Sequence, residues 1–155
     1  MPVNYVKYYI CGVCGMKKAL LVSFPVLIVL VLGGIFVFTE FIKPVNLSFT
    51  EKITLNYEYA KSIHLEITDK NDYDDLIVLC KGTAINDFSI PSCGFGSVEL
   101  IFDGNGEKVV LYPACDSCST MRLGKDDKFF YCISEINRDK LVEILAKYGA
   151  TFPCI

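Results

Sequence analysis

The residues of this chain best suited to chemistry are its eight cysteines, two of which form a Cys-x-x-Cys, Cys115-Asp-Ser-Cys118. At that spacing one thiol can attack a disulfide and the other can resolve the mixed intermediate. The attacking cysteine then needs a helix N-terminus, whose dipole favours the thiolate. Cys115 follows an apolar stretch, Val109-Val-Leu-Tyr-Pro-Ala, as a redox motif follows its strand. The helix is missing, however. Only Ser-Thr-Met-Arg-Leu separates Cys118 from Gly124, and β-forming residues resume after the Lys-Asp-Asp turn. A thiol-disulfide oxidoreductase using Cys115 and Cys118 is therefore the alternative reading, and an enzyme is the less favoured class.

Thiols can also act as staples. Six cysteines lie beyond residue 60, at positions 80, 93, 115, 118, 132 and 154. In a small domain outside the cytoplasm, such a set reads as a disulfide framework. Asn105-Gly106 between two apolar runs predicts a two-residue hairpin loop, so opposed residues sum to 211. Cys118 then faces Cys93, and Cys115 faces Gly96. A second hairpin, with sums near 251, brings Cys132 opposite Ser119. Cys93, Cys115, Cys118 and Cys132 should thus gather at one end of a sheet. The expected bonds join Cys93 to Cys118 or Cys115, with Cys154 tied back to this cluster or to Cys80. Cys80, on a helix face, is the expected free thiol.

Kept reduced, the same four cysteines could form a thiolate zinc site, but an oxidising location argues against it. Cys11-Gly-Val-Cys14 is half a zinc motif with no second half nearby. The single histidine, His64, shares the polar side of a strand with Ser62 and Glu66 and reads as solvated. Asp69-Lys-Asn-Asp-Tyr-Asp fails as a calcium loop, because Asp74 stands where glycine is needed. No phosphate loop and no Gly-x-Ser-x-Gly occurs, so no cofactor and no metal are expected.

The elements that position these residues fall into two parts. Ala19–Phe38 is uncharged and apolar, behind Lys17-Lys18 and ahead of Glu40. As one helix it would span about 30 Å, the hydrocarbon thickness of a bilayer. The expectation is an uncleaved signal anchor over 19–39, a segment 1–18 in the cytoplasm, a stalk over 40–60 and an outer domain over 61–155. Residues 1–18 hold three lysines and no acid, while 39–155 carry a net −6, and the positive-inside rule then puts the large domain outside the cell. The acidic domain argues against nucleic acid as a partner. Expected partners are the lipid bilayer, an envelope or surface protein or a cell-wall component, and a second copy of the chain by way of Gly33-Gly34.

Within 61–155, Ser62–Thr68 alternates as a strand and Asp69 opens a helix ended by Gly82. Strands follow at 97–102, 108–112, 119–123 and 128–133, and a last helix starts near Ser134 with the stripe Leu141, Ile144, Leu145, Tyr148. The expected fold class is α+β: a transmembrane helix followed by a small β-α-β4-α domain, an antiparallel sheet with two helices. With helices on one face, the uncovered face of the sheet is the natural surface for binding. The function expected is a membrane-anchored, extracytoplasmic, disulfide-stabilised binding domain.

Overall fold

A computed structural model of the chain describes residues 27–35, 40–86, 94–116, 118–125 and 128–152. Two compact units result, 1–40 and 41–155. The second is built on one eight-stranded sheet in the order β1-β4-β8-β7-β6-β5-β2-β3. Its strands are β1 (Ile42–Val45), β2 (Lys52–Glu58), β3 (Ser62–Glu66), β4 (Gly82–Asn86), β5 (Val98–Gly104), β6 (Glu107–Pro113), β7 (Thr120–Leu123) and β8 (Phe129–Cys132). Every neighbouring pair is antiparallel. Helix α1 (Lys70–Leu79) lies between β3 and β4, and α2 (Glu135–Lys147) follows β8.

This corrects the expected five-stranded β-α-β4-α domain. The additional strands are β1 and β2, which fall in the expected stalk, and β4, which follows the helix stop at Gly82. β1 and β4 are weak by their own patterns and are held by pairing, whereas β2 alternates Ile53, Leu55 and Tyr57 with polar residues and buries all three. β1 contains Pro44, which an edge strand tolerates because its missing N–H breaks no ladder. β4 buries only Ala84, yet pairs with β1 on one side and β8 on the other.

The anchor is corrected as well. Among the described residues, no helix is long and apolar enough to cross a membrane. The described part of the apolar run, 27–35, is helical. Residues 19–26 and 36–39 lie outside the described residues. The single-pass membrane location, with N-terminus inside and domain outside, falls with the anchor.

Local chemistry sets the elements that do form. Asp69 caps α1 by accepting from the amides of Asn71 and Asp72, at 2.9 and 3.0 Å, and Ser134 caps α2 through Asn137 at 3.2 Å. Gly149, at φ +83°, lets the chain turn out of α2 as the Ala150 amide returns to the Leu145 carbonyl. Between β5 and β6, Asn105 and Gly106 both take positive φ, 51° and 77°, as a type I′ turn requires. The pairs Leu100–Leu111 and Phe102–Val109 follow from that turn.

One face of the sheet meets the helices. Ile53, Leu55, Leu100, Phe102, Leu111 and Met121 join Leu76, Leu79, Leu141, Ile144 and Leu145 in a single buried core. Two polar contacts tie the helices in. Asp72 of α1 accepts from Lys147 and from Tyr148 beyond α2, at 2.9 and 3.0 Å, and the Tyr131 hydroxyl donates to the Cys80 carbonyl at 2.6 Å.

Candidate functional site

Side chains alternate along a strand, so register decides which residues share the face turned away from the helices. The pairings His64–Asn56, Asn56–Glu99, Tyr112–Arg122, Arg122–Phe130, Phe130–Ile85 and Ile85–Ile42 fall on that face. Glu99 and Tyr112 are joined by their side chains. The Tyr112 hydroxyl donates to Glu99 Oε1 at 2.5 Å. One residue from each of eight strands thus forms a single row, about 34 Å from end to end at strand spacing. The row is polar at the β3 edge and apolar at the β1 edge.

The polar half is wired together. Glu99 accepts from Tyr112 on one oxygen and from Asn56 Nδ2 on the other, at 2.5 Å, and Asn56 Oδ1 meets His64 Nδ1 at 2.5 Å. These partners fix the hydrogens. An ionised carboxylate only accepts, so Asn56 must turn its amide nitrogen to Glu99 and its oxygen to His64, which then donates from Nδ1. Burial works to raise the Glu99 carboxyl, but the bonds from Tyr112 and Asn56, with Lys108 and Lys125 nearby, outweigh it and hold the group below the usual carboxylate range.

Arg122 stands at the junction of the two halves. Its guanidinium carbon lies 4.8 Å from the Tyr112 ring centroid and 5.2 Å from that of Phe95, which reaches over the face ahead of β5. Phe95 in turn packs on Phe130, centroids 5.6 Å apart. Tyr112 and Phe130 are consequently buried, 6% and 7% exposed, although they belong to the face without helices. Among the described residues Arg122 forms no ion pair, and its Nε is shut from solvent without a hydrogen-bond partner.

Beside this cluster the face opens into a hollow of about 450 Å³, lined among others by Glu58, Glu99, Tyr112, Arg122 and Lys125. Its size is that of a small-molecule site. The walls are charged unequally, with Arg122 and Lys125 towards β7 and Glu58 on β2.

The cysteines are arranged otherwise than expected. No disulfide-bonded pair forms among the described residues, and Cys80, Cys115 and Cys132 are thiols. Cys93 and Cys154, two of the expected bonding partners, lie outside the described residues, as do Cys11 and Cys14. Cys115 is buried in the core and Cys132 is exposed on the open face, so the sheet separates them. The second hairpin pairs Thr120 with Cys132, a sum of 252, which sets Cys132 one residue away from its expected neighbour. Its Sγ meets Thr120 Oγ1 at 3.9 Å. Cys80 is fully buried, and burial pushes its thiol up to about 12.

The Cys118 amide donates to Asp116 Oδ1 at 2.9 Å, and this bond, the largest effect on that carboxyl, holds it below the ordinary range. Arg138 of α2 grips the Asp116 carbonyl at 2.8 Å. The next element is β7, so no helix begins at Cys115 or Cys118. Among the described residues no three metal-ligating side chains come together.

Asn56, Glu99, Tyr112 and Arg122 were not singled out by sequence reasoning. Each is a lone outward residue on a separate strand, and outward polar residues usually mean nothing more than solvent. Only register unites them. Compared with family models, with curated proteins and with solved structures, the chain finds no match.

Proposed function

We propose that the unit 41–155 is a binding domain whose recognition surface is the open face of its sheet, centred on the hollow beside Arg122. The observation that carries this reading is the state of Arg122 itself. A guanidinium held between two aromatic rings is rigid and partly desolvated, and desolvation raises its attraction for an anion. Here it faces a hollow of ligand size, and among the described residues no carboxylate forms an ion pair with it. A cation serving only the fold would be expected to find an acid, as Lys147 finds Asp72 and Lys140 finds Asp75, both at 2.9 Å.

Rigidity supports the same reading. Glu99 anchors Tyr112, and Tyr112 supports Arg122, so the face is organised before a partner arrives. Preorganisation of this kind lowers the entropy cost of binding.

The test is amide chemical-shift mapping on the full chain, titrated with amino acids, short peptides, sugars, inorganic phosphate and aromatic carboxylates. The expected outcome is a set of shifts confined to the amides around Asn56, Glu99, Tyr112 and Arg122. Shifts that avoid these positions for every probe would refute the reading. A response concentrated at Cys115–Cys118 would transfer the site there.

A further inference from the structure

The charges around the hollow specify the kind of ligand, on the premise that the open face is the binding surface. Two cations, Arg122 and Lys125, line the β7 side, and Glu58 lines the β2 side. Glu99 lies between them but has both oxygens engaged, by Tyr112 and Asn56. What remains for a ligand is a positive end and a negative end. Strands β2, β5, β6 and β7 are consecutive in the sheet, so these ends are three strand spacings apart, about 14 Å along the backbone frame.

We infer that the hollow takes a short zwitterionic peptide, its C-terminal carboxylate on Arg122 and Lys125 and its terminal ammonium on Glu58. An extended chain covers about 3.3–3.6 Å per residue, so three or four residues bridge the two ends. A planar guanidinium fork matches a carboxylate through two parallel hydrogen bonds, and Lys125 adds a second positive charge. The ring of Phe95, which lines the hollow, gives the residue next to the carboxylate an apolar bed. A polyphosphate or a nucleic-acid strand suits the site less well, because it would lay negative charge against Glu58.

Three randomised tetrapeptide pools test this by shift mapping and calorimetry on the full chain: one with free ends, one C-terminally amidated and one N-acetylated. The free pool should move the amide signals around Glu58 and Arg122. Amidation should weaken binding about tenfold and acetylation by a smaller factor, since each removes one charged contact. Arg122→Gln should erase the difference between the free and amidated pools, and Glu58→Gln the difference between the free and acetylated pools. Lys125→Gln, an exposed change that leaves the ring cluster intact, should narrow the first difference without loss of thermal stability. Equal binding of free and amidated pools, or no response to any pool, overturns the peptide assignment. If sugars or phosphate move the hollow's signals while the pools do not, the ligand class alone is wrong. If no probe moves them, the binding surface is wrong too.

Discussion

Glu99 holds the hydroxyl of Tyr112 at 2.5 Å, and it thereby fixes the ring on which the Arg122 guanidinium rests at 4.8 Å. The two residues come from adjacent strands and act as one support, a carboxylate below and a cation above a single aromatic side chain. The bond can be removed without the ring. Tyr112→Phe should cost about 1 kcal/mol, a charged hydrogen bond discounted for the partial exposure of Glu99. Tyr112→Leu, which removes the ring as well, should cost more and release Arg122. Urea midpoints for the two variants check the order.

The Glu99 carboxyl also makes stability depend on pH in a defined direction. Its folded value lies below the ordinary 4.5, so the stabilisation is complete above 4.5 and is lost as pH falls through the lower folded value. Glu99→Gln should therefore be less stable than the parent at pH 7, and the gap should close under acid. A gap that stays constant from pH 7 to pH 3 would mean that Glu99 acts by shape alone.

How far this arrangement could be read from the chain depends on how local its causes are. The caps Asp69 and Ser134, the Asn105-Gly106 turn and the stripe Leu141, Ile144, Leu145 are contained within a few residues, and all are visible in the sequence. β1 and β4 are not. Gly82-Thr-Ala-Ile-Asn86 has one buried side chain and becomes a strand because its neighbours supply the ladder. The site is harder still to read. Asn56 and Arg122 are 66 positions apart, and only the register of four strands brings them to one row. The hairpin at 105–106 predicts one of those registers, and the others need the finished sheet.

Gly82 is fixed by what lies against it. A Cβ there would run into the ring of Tyr131, whose hydroxyl holds the Cys80 carbonyl at the end of α1. Gly82→Ala should displace the ring, break that bond and cost about 2–3 kcal/mol, combining overpacking with a lost buried acceptor. Gly94→Ala is the matched control, because a Cβ there meets nothing, and it should be near neutral. Denaturant unfolding of the two variants separates steric contact from a general effect of replacing glycine.

Asp72 links the helices in a pH-sensitive way. Its hydrogen bond from Lys147 holds the carboxyl below the ordinary 3.8 against the opposing effect of burial, and the Tyr148 hydroxyl adds to it. The stabilisation is therefore present above 3.8 and disappears as pH falls through the depressed value. Asp72→Asn should lower the melting temperature by about 5 °C at pH 7 and by much less at pH 2.5. Calorimetry at both pH values, with Lys147→Met as the partner change, tests whether the contact or the carboxyl's place in the first turn of α1 carries the effect. If Asp72 acts through Lys147, the double variant should lose less than the sum of the single ones.

The thiols should react in an order set by the sheet. Cys132 is exposed on the open face, Cys115 is 4% exposed in the core and Cys80 is fully buried. Burial also holds the Cys80 thiol at about 12, so roughly one in thirty thousand is ionised near pH 7.5, and the thiolate is the species that alkylates. With iodoacetamide under native conditions, peptide mapping should find Cys132 modified before Cys115. Cys80 should be modified only at the rate of global unfolding, because it sits in the same core as Leu76 and Leu145. Its rate should then rise in proportion to the unfolded fraction as urea is added, while the Cys132 rate stays flat. Rapid native labelling of Cys80 would show that α1 opens independently of the sheet, and the helix would have to be treated as a separately unfolding element.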